Sequence, residues 1–167
     1  MEISDLEESQ YLTFKCGEEL FALAILNIKE IKGYTPPTSI PMMSRFIKGV
    51  INLRGTVLPI IDLNLRFGRE STKITKRTCV IIVEVITEAE TEKMNIGLLV
   101  DGVSEVVDIP PAEIEKTPEF GSKVRNDFIK SIGKLNGKFV IILDIQKVLS
   151  IDELSAIEDE LLLKSNK

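Results

Sequence analysis

The stretch FIKGVINLRGTVLPIIDL at residues 46–63 returns as FIKSIGKLNGKFVIILDI at residues 128–145, with seven of the eighteen aligned positions identical. Within this repeat the pair Arg54-Gly55 corresponds to Asn136-Gly137. Asn-Gly between two apolar runs is the strongest short-range signal for a two-residue β-hairpin turn. Each half of the chain is therefore predicted to carry a hairpin at the same place.

A weaker repeat aligns residues 21–31 with residues 96–106, and it places Glu30 over Glu105 and apolar residues over apolar residues. Each copy is followed by a loop that contains two adjacent prolines. Each half also opens with two runs typical of β-strands. These four runs cover residues 11–16, 20–26, 78–86 and 95–100. The patterns together indicate a duplicated chain.

The short strands and frequent turns predict an all-β fold. Each half has too few strands for a sandwich, but the number suits a small five-stranded barrel of the SH3-like or OB-like kind. We expect barrels at about residues 10–68 and 76–149, which form one domain over residues 10–149. Because neither half has large aromatic side chains to fill a core alone, the barrels should share an interface. An exchange of strands between them is left open.

The C-terminal residues carry a helix pattern. Ser150 and Glu153 form a capping box, and Leu154, Ile157 and Leu161 recur at helical spacing. A helix is therefore predicted over residues 150–163, packed on the barrels.

The composition weakens several enzyme classes. The chain has no histidine, which removes the usual general base near neutral pH and the commonest metal ligand. Neither a GxxxxGK[ST] or GxGxxG phosphate loop nor a GxSxG nucleophile elbow is present. Asp62 and Asp144 end equivalent hairpins, where an aspartate more often caps a turn than catalyses. We expect a non-enzyme without catalytic residues, metal or cofactor; a hydrolase that uses Asp62 or Asp144 is an alternative.

The charge gives little reason to bind nucleic acid, because the formal net charge is −5. A basic cluster does lie in the predicted linker between the halves, where a solvated connector is expected. It consists of Arg66, Arg69, Lys73, Lys76 and Arg77. An OB-like oligonucleotide-binding protein remains an alternative, since small barrels often host that function. No apolar run reaches the roughly 18 residues of a membrane helix, so we expect cytoplasmic residence without membrane insertion.

The two cysteines, Cys16 and Cys79, lie in apolar runs with no other cysteine or histidine near them in the sequence. Buried thiols are therefore expected rather than a disulfide or a metal pair.

Three features suit a binding module. Arg54 lies at a hairpin tip beside Gly55, so its guanidinium can bind a partner carboxylate, although a solvated turn charge fits equally well. Ile25, Ile28 and Ile31 alternate with polar residues in the first half, and Val103, Val106 and Val107 repeat the pattern in the second. Such side chains either fill a core or form a partly apolar surface. Two similar barrels present two similar faces, which suits a protein that bridges two partners.

The same residues resemble a known family, the CheW-type chemotaxis coupling proteins. The resemblance covers nearly the whole chain. It is carried by EIKGY at 30–34, FIKGVINLRGTVLPIIDLNLRF at 46–67, VDGVSEV at 100–106 and IILDIQKVL at 141–149.

This resemblance implies two intertwined five-stranded barrels that form an adaptor without catalytic activity. The adaptor would bind the cytoplasmic tip of methyl-accepting chemotaxis proteins and the regulatory domain of the histidine kinase CheA, within membrane-associated chemoreceptor arrays. By position, receptor contacts are expected at Ile28, Glu30, Gly49, Arg54, Gly55, Val103 and Val106. Kinase contacts are expected at Leu12, Phe14 and Met42. Coupling in a non-flagellar chemosensory pathway is the alternative within the family.

Overall fold

A computed structural model describes residues 9–41, 43–86, 93–115 and 128–149. Met42 and the helix predicted at residues 150–163 lie outside the described residues. The described chain is mostly β-strand, as predicted, with one short α-helix and three 3-10 turns. In chain order the strands are β1 (Gln10–Cys16), β2 (Glu19–Ala24), β3 (Ile28–Gly33), β4 (Ile47–Leu53), β5 (Thr56–Asp62), β6 (Cys79–Ile86), β7 (Lys93–Val100), β8 (Gly102–Asp108), β9 (Ile114–Glu115), β10 (Ile129–Leu135) and β11 (Lys138–Leu143). Helix α1 (Leu63–Arg66) follows β5.

The strands form two sheets, and each sheet takes strands from both halves of the sequence. The first sheet has the order β8-β1-β2-β11-β10-β9, and the second has the order β3-β6-β7-β5-β4. Parallel pairing joins the halves: Ala22 of β2 lies opposite Ile142 of β11, and Leu98 of β7 lies opposite Ile61 of β5. The opening strand pair of each half therefore completes the other half's sheet, and the predicted intertwined all-β fold is confirmed.

The two copies of the repeat have the same local structure. The amide of Asp62 donates to the carbonyl oxygen of Phe46 at 2.8 Å, and Asp144 donates to Phe128 at the same distance. Both hairpins also shift register by one residue near their starts. The hairpins that the sequence predicts are thus present, with matching irregularities.

The core explains why several strands are apolar on both faces. Along β6, Ile81 and Val83 belong to the largest apolar cluster, whereas Val80 and Ile82 belong to a smaller cluster of the second sheet. A third cluster belongs to the first sheet; its buried members are Tyr11, Ala22, Ile109, Val140 and Ile142. The largest cluster contains residues of both sheets, so the two barrels share one interface.

Both cysteines are free and buried. Burial raises the pKa of the Cys79 thiol, and burial together with the nearby Asp101 carboxylate raises the pKa of the Cys16 thiol. A raised pKa lowers the fraction of reactive thiolate at neutral pH.

We therefore expect both thiols of the native protein to react slowly with Ellman's reagent at pH 8, and to react fully once the chain is unfolded in guanidinium. The time course of absorbance measures this difference. Rapid reaction of either thiol in the native protein would contradict the burial of that site.

Candidate functional site

The tip of the β4–β5 hairpin presents a charged pair. Arg54 and Gly55 have φ values of 50° and 86°, as a type I′ turn requires, and the Asn52 side chain accepts a 2.9 Å hydrogen bond from the Gly55 amide. The Arg54 guanidinium forms an ion pair with Glu30 on β3, which raises the pKa of Arg54. The Arg54 side chain is 73% exposed and that of Glu30 is 30% exposed. A rigid turn thus carries an exposed guanidinium.

Strands β3 and β8 lie at the edges of the two sheets and expose apolar side chains. Ile31 on β3 is 43% exposed, while Val103 and Val106 on β8 are 39% and 54% exposed. The repeat alignment places Ile31 over Val106, so equivalent positions are exposed in both halves. Of the two interpretations left open by the sequence, a surface is correct for Val103 and Val106. Ile28 instead is partly buried and packs against the largest cluster.

The two edge strands approach each other where the sheets meet. Gly33 at the end of β3 pairs with Cys79 of β6. On its other side Cys79 pairs with Val100 of β7, two residues before β8 begins. The structure therefore brings one end of β3 close to one end of β8.

Gly49 is buried, and its backbone geometry explains the glycine. Its φ is +144°, and a Cβ atom there would lie 2.1 Å from the carbonyl oxygen of Thr38. Thr38 and Val50 exchange two backbone hydrogen bonds of 2.8 Å, which hold the segment before β4 against the strand. Gly49 therefore determines the backbone path of the hairpin and has almost no exposed surface of its own.

Leu12 and Phe14, the expected kinase contacts, are buried in the structure, so their side chains do not form a surface. Both side chains belong to the largest apolar cluster, and Phe14 is 0% exposed. Strand β1 pairs with β2 on one side and β8 on the other, so its backbone has no free edge over the paired residues. These side chains stabilise the core and have almost no exposed surface in this structure.

The basic cluster predicted as a solvated connector is partly packed on the barrels, because two of its arginines are only partly exposed and contact them. The Arg66 guanidinium lies over the Phe46 ring at 4.8 Å and over the Phe128 ring at 5.5 Å. Arg69 donates a 2.8 Å hydrogen bond to the carbonyl oxygen of Cys16 and pairs with Glu19. Arg66 and Arg69 therefore attach the linker to the barrels.

The candidate catalytic carboxylates have structural roles. Asp62 is fully buried, and its carboxylate accepts hydrogen bonds from the Thr72 amide at 2.9 Å and the Thr72 hydroxyl at 2.7 Å. Asp144 accepts from the Gln146 amide at 3.1 Å. In the described ranges, no group of three or more histidine, cysteine or acidic side chains is placed to hold a metal ion. No helix there is long and apolar enough to cross a membrane.

Among the described residues, six exposed apolar side chains were absent from the predicted contacts: Leu26, Ile31, Val57, Ile74, Ile86 and Phe139. The sequence repeat indicates an exposed position for Ile31, because it aligns Ile31 with Val106. Phe139 lies in an apolar run, and nothing in the run distinguishes its exposed side chain from the buried Val140 that follows it.

Known proteins are similar to this chain in sequence, and a solved structure is similar to it in fold. Chemotaxis protein CheW of Klebsiella aerogenes is 33% identical over 150 residues, which cover 90% of this chain and 87% of that protein. Chemotaxis protein CheW of Helicobacter pylori is 34% identical over 146 residues, which cover 87% and 84%. The crystal structure of the scaffolding protein TtCheW from Thermoanaerobacter tengcongensis superposes with a TM-score of 0.77 at 32% identity, over 87% of this chain and 95% of that one. Since the model of the CheW-like domain matches residues 10–153, the chain belongs to the CheW-like family.

Proposed function

We propose that this chain is a non-catalytic adaptor of chemotaxis signalling, which couples methyl-accepting chemoreceptors to the histidine kinase CheA in a ternary complex. The observation that carries the proposal is the exposed Arg54–Glu30 pair on a rigid tip, combined with exposed apolar side chains on the two edge strands. Similarity to the CheW proteins and to a scaffolding protein supports it. The adaptor resides in the cytoplasm and is recruited to membrane-associated receptor arrays.

The receptor side would use Arg54, Glu30, Val103 and Val106, with Ile31 as an addition. Apolar side chains at the centre of an interface provide buried area, and charged groups at its rim provide orientation and specificity. The Arg54–Glu30 pair lies at the tip and is solvent-exposed, so it suits the rim. The cytoplasmic tip of a receptor would dock with its apolar residues against the edge strands.

The two hairpin tips carry different residues, as the binding of two different partners would require. Asn136 occupies the second hairpin tip in place of Arg54, while Glu105 keeps the position equivalent to Glu30. The first half thus carries a cation at its tip, and the second half carries a neutral amide. With Leu12 and Phe14 buried, the exposed Leu26 and Phe139 are our candidates for contact with the kinase regulatory domain.

Such an adaptor transfers no chemical group. It changes kinase output because receptor and kinase bind one rigid body, and a change of geometry at one interface alters the binding free energy at the other. A core shared by both barrels supports this role, since the two faces cannot move independently without opening the largest apolar cluster.

Replacing Arg54 by Glu is expected to weaken binding of a receptor signalling-domain fragment by about tenfold or more, because the substitution reverses charge at the contact and repels Glu30. Isothermal titration calorimetry with the fragment measures the change. The double variant Arg54→Glu, Glu30→Arg restores an ion pair with its orientation reversed. This double variant should still bind the receptor fragment weakly if Arg54 itself binds a receptor carboxylate.

The matched control is Asn136→Glu, because Asn136 occupies the same turn position with a φ of 52°. This variant introduces the same residue at the other tip, with a larger backbone cost because asparagine tolerates positive φ better than arginine does. It should still bind the receptor fragment as the wild type does. Wild-type affinity of the Arg54→Glu variant, at unchanged melting temperature, would refute the receptor role of this tip.

A further inference from the structure

An open cleft of about 320 Å³ lies between the β1–β2 turn, the segment before β6 and the start of β8. Its lining carries basic side chains, unlike the apolar edge beside it. The lining residues include Lys15, Gly17, Lys73, Arg77, Asp101 and Val103. A cleft of this size accommodates several side chains of a docked segment.

The charge of the cleft is positive in an acidic chain. Lys15, Lys73 and Arg77 supply three cations and Asp101 one carboxylate, which leaves two positive charges in a chain of net charge −5. Asp101 accepts a 2.6 Å hydrogen bond from the Gly17 amide, so its carboxylate stabilises the β1–β2 turn. Within the described residues none of the three cations forms an ion pair. Their charges are available to an anion.

The segment that carries Lys73 and Arg77 is ordered by its own hydrogen bonds. The Thr78 hydroxyl accepts from the Thr75 amide at 2.8 Å and donates to the carbonyl oxygen of Lys73 at 3.2 Å. The Thr75 hydroxyl accepts from the Arg77 amide at 3.1 Å. The backbone between the two cations is thus pre-organised, which lowers the entropic cost of binding.

The cleft is continuous with the surface assigned to the receptor, because Val103 lines the cleft and is also exposed on β8. We propose that the cleft receives acidic side chains of the receptor segment whose apolar residues dock on the β8 edge. This inference rests on the proposed function and adds the chemistry of the partner. An apolar wall beside three cations suits a carboxylate carried on a docked chain better than a free phosphate ion.

The test compares two triple variants that lose the same charge. Lys15→Gln, Lys73→Gln, Arg77→Gln neutralises the cleft, whereas Lys130→Gln, Lys138→Gln, Lys147→Gln neutralises three exposed lysines elsewhere. Binding of the receptor signalling-domain fragment is measured at 50 mM and 500 mM salt. The cleft variant should bind about tenfold more weakly than the control variant at low salt, and the difference should shrink at high salt because exposed charges are screened.

Equal affinities of the two variants at low salt, with wild-type binding intact, would overturn the inference and leave the proposed function standing. A wild type that does not bind the fragment overturns the proposed function instead. A parallel titration with inorganic phosphate follows the amide signals of Gly17 and Val103 by NMR. Phosphate binding that the cleft variant loses, with unchanged receptor affinity, would also overturn the inference in favour of a free-anion site. If the cleft triple variant has a lowered melting temperature, the single variant Lys15→Gln replaces it. This single variant should still bind the receptor fragment more weakly than the wild type.

Discussion

Replacing Gly49 by Ala is expected to lower the free energy of unfolding by about 4 kcal/mol. The new Cβ would lie 2.1 Å from the carbonyl oxygen of Thr38 and 2.6 Å from its carbonyl carbon. Both are backbone atoms, so no side-chain rotation relieves the clash. Moving the segment away would break the two hydrogen bonds between Thr38 and Val50. The φ of +144° adds strain for any residue with a Cβ.

Urea denaturation followed by circular dichroism measures this loss. The matched control is Gly33→Ala in the same sheet, where a Cβ would meet no atom within 4 Å. That variant should remain within about 0.5 kcal/mol of the wild type. Equal stability of the two variants would show that the close approach of Thr38 to β4 is not present in solution.

Replacing Asp62 by Ala is the second substitution with a large expected effect, a loss of about 3 kcal/mol or more in the free energy of unfolding. The buried carboxylate accepts hydrogen bonds from the Leu65 amide at 3.3 Å, the Ser71 hydroxyl at 3.1 Å and both the amide and hydroxyl of Thr72. Alanine leaves these donors without that acceptor. The Thr72 groups are buried, so water replaces the carboxylate poorly.

The repeat supplies the control for this substitution. Asp144 occupies the equivalent position, but among the described residues its carboxylate accepts one hydrogen bond, from the exposed Gln146 amide. Asp144→Ala should therefore cost about 1 kcal/mol, as the loss of a turn cap does. Thermal and chemical unfolding of both variants compares the two sites. Similar losses at Asp62 and Asp144 would contradict the view that Asp62 anchors the linker.

The burial of Gly49 also affects the interpretation of binding measurements on its variants. Gly49 was expected at the receptor surface, yet it is buried, so weaker receptor binding by a Gly49 variant would report a damaged hairpin. Arg54 is exposed at the tip, and its variants test the surface directly. Stability must therefore be measured before a loss of binding is assigned to contact.

Much of the local structure was predictable because it depends on neighbouring residues. The Asn136-Gly137 pair predicts a tight turn by its tolerance of positive φ, and the repeat transfers that turn to Arg54-Gly55. The cap role of Asp62 also follows from its place at the end of a strand. Arg54 and Glu30, chosen by resemblance to the CheW-type proteins, are adjacent in space and form an ion pair.

The sequence alone determined the duplication, the two hairpins and the all-β class, because each depends on composition and on short-range periodicity. Tertiary structure alone decided which faces are buried. Alternation in β1 shows that Leu12 and Phe14 share a face, but it does not show that this face lies in the largest cluster, which both sheets share. Pairing of β2 with β11 and of β7 with β5 joins residues far apart in the chain. No local pattern encodes such contacts, because their free energy comes from the assembled core.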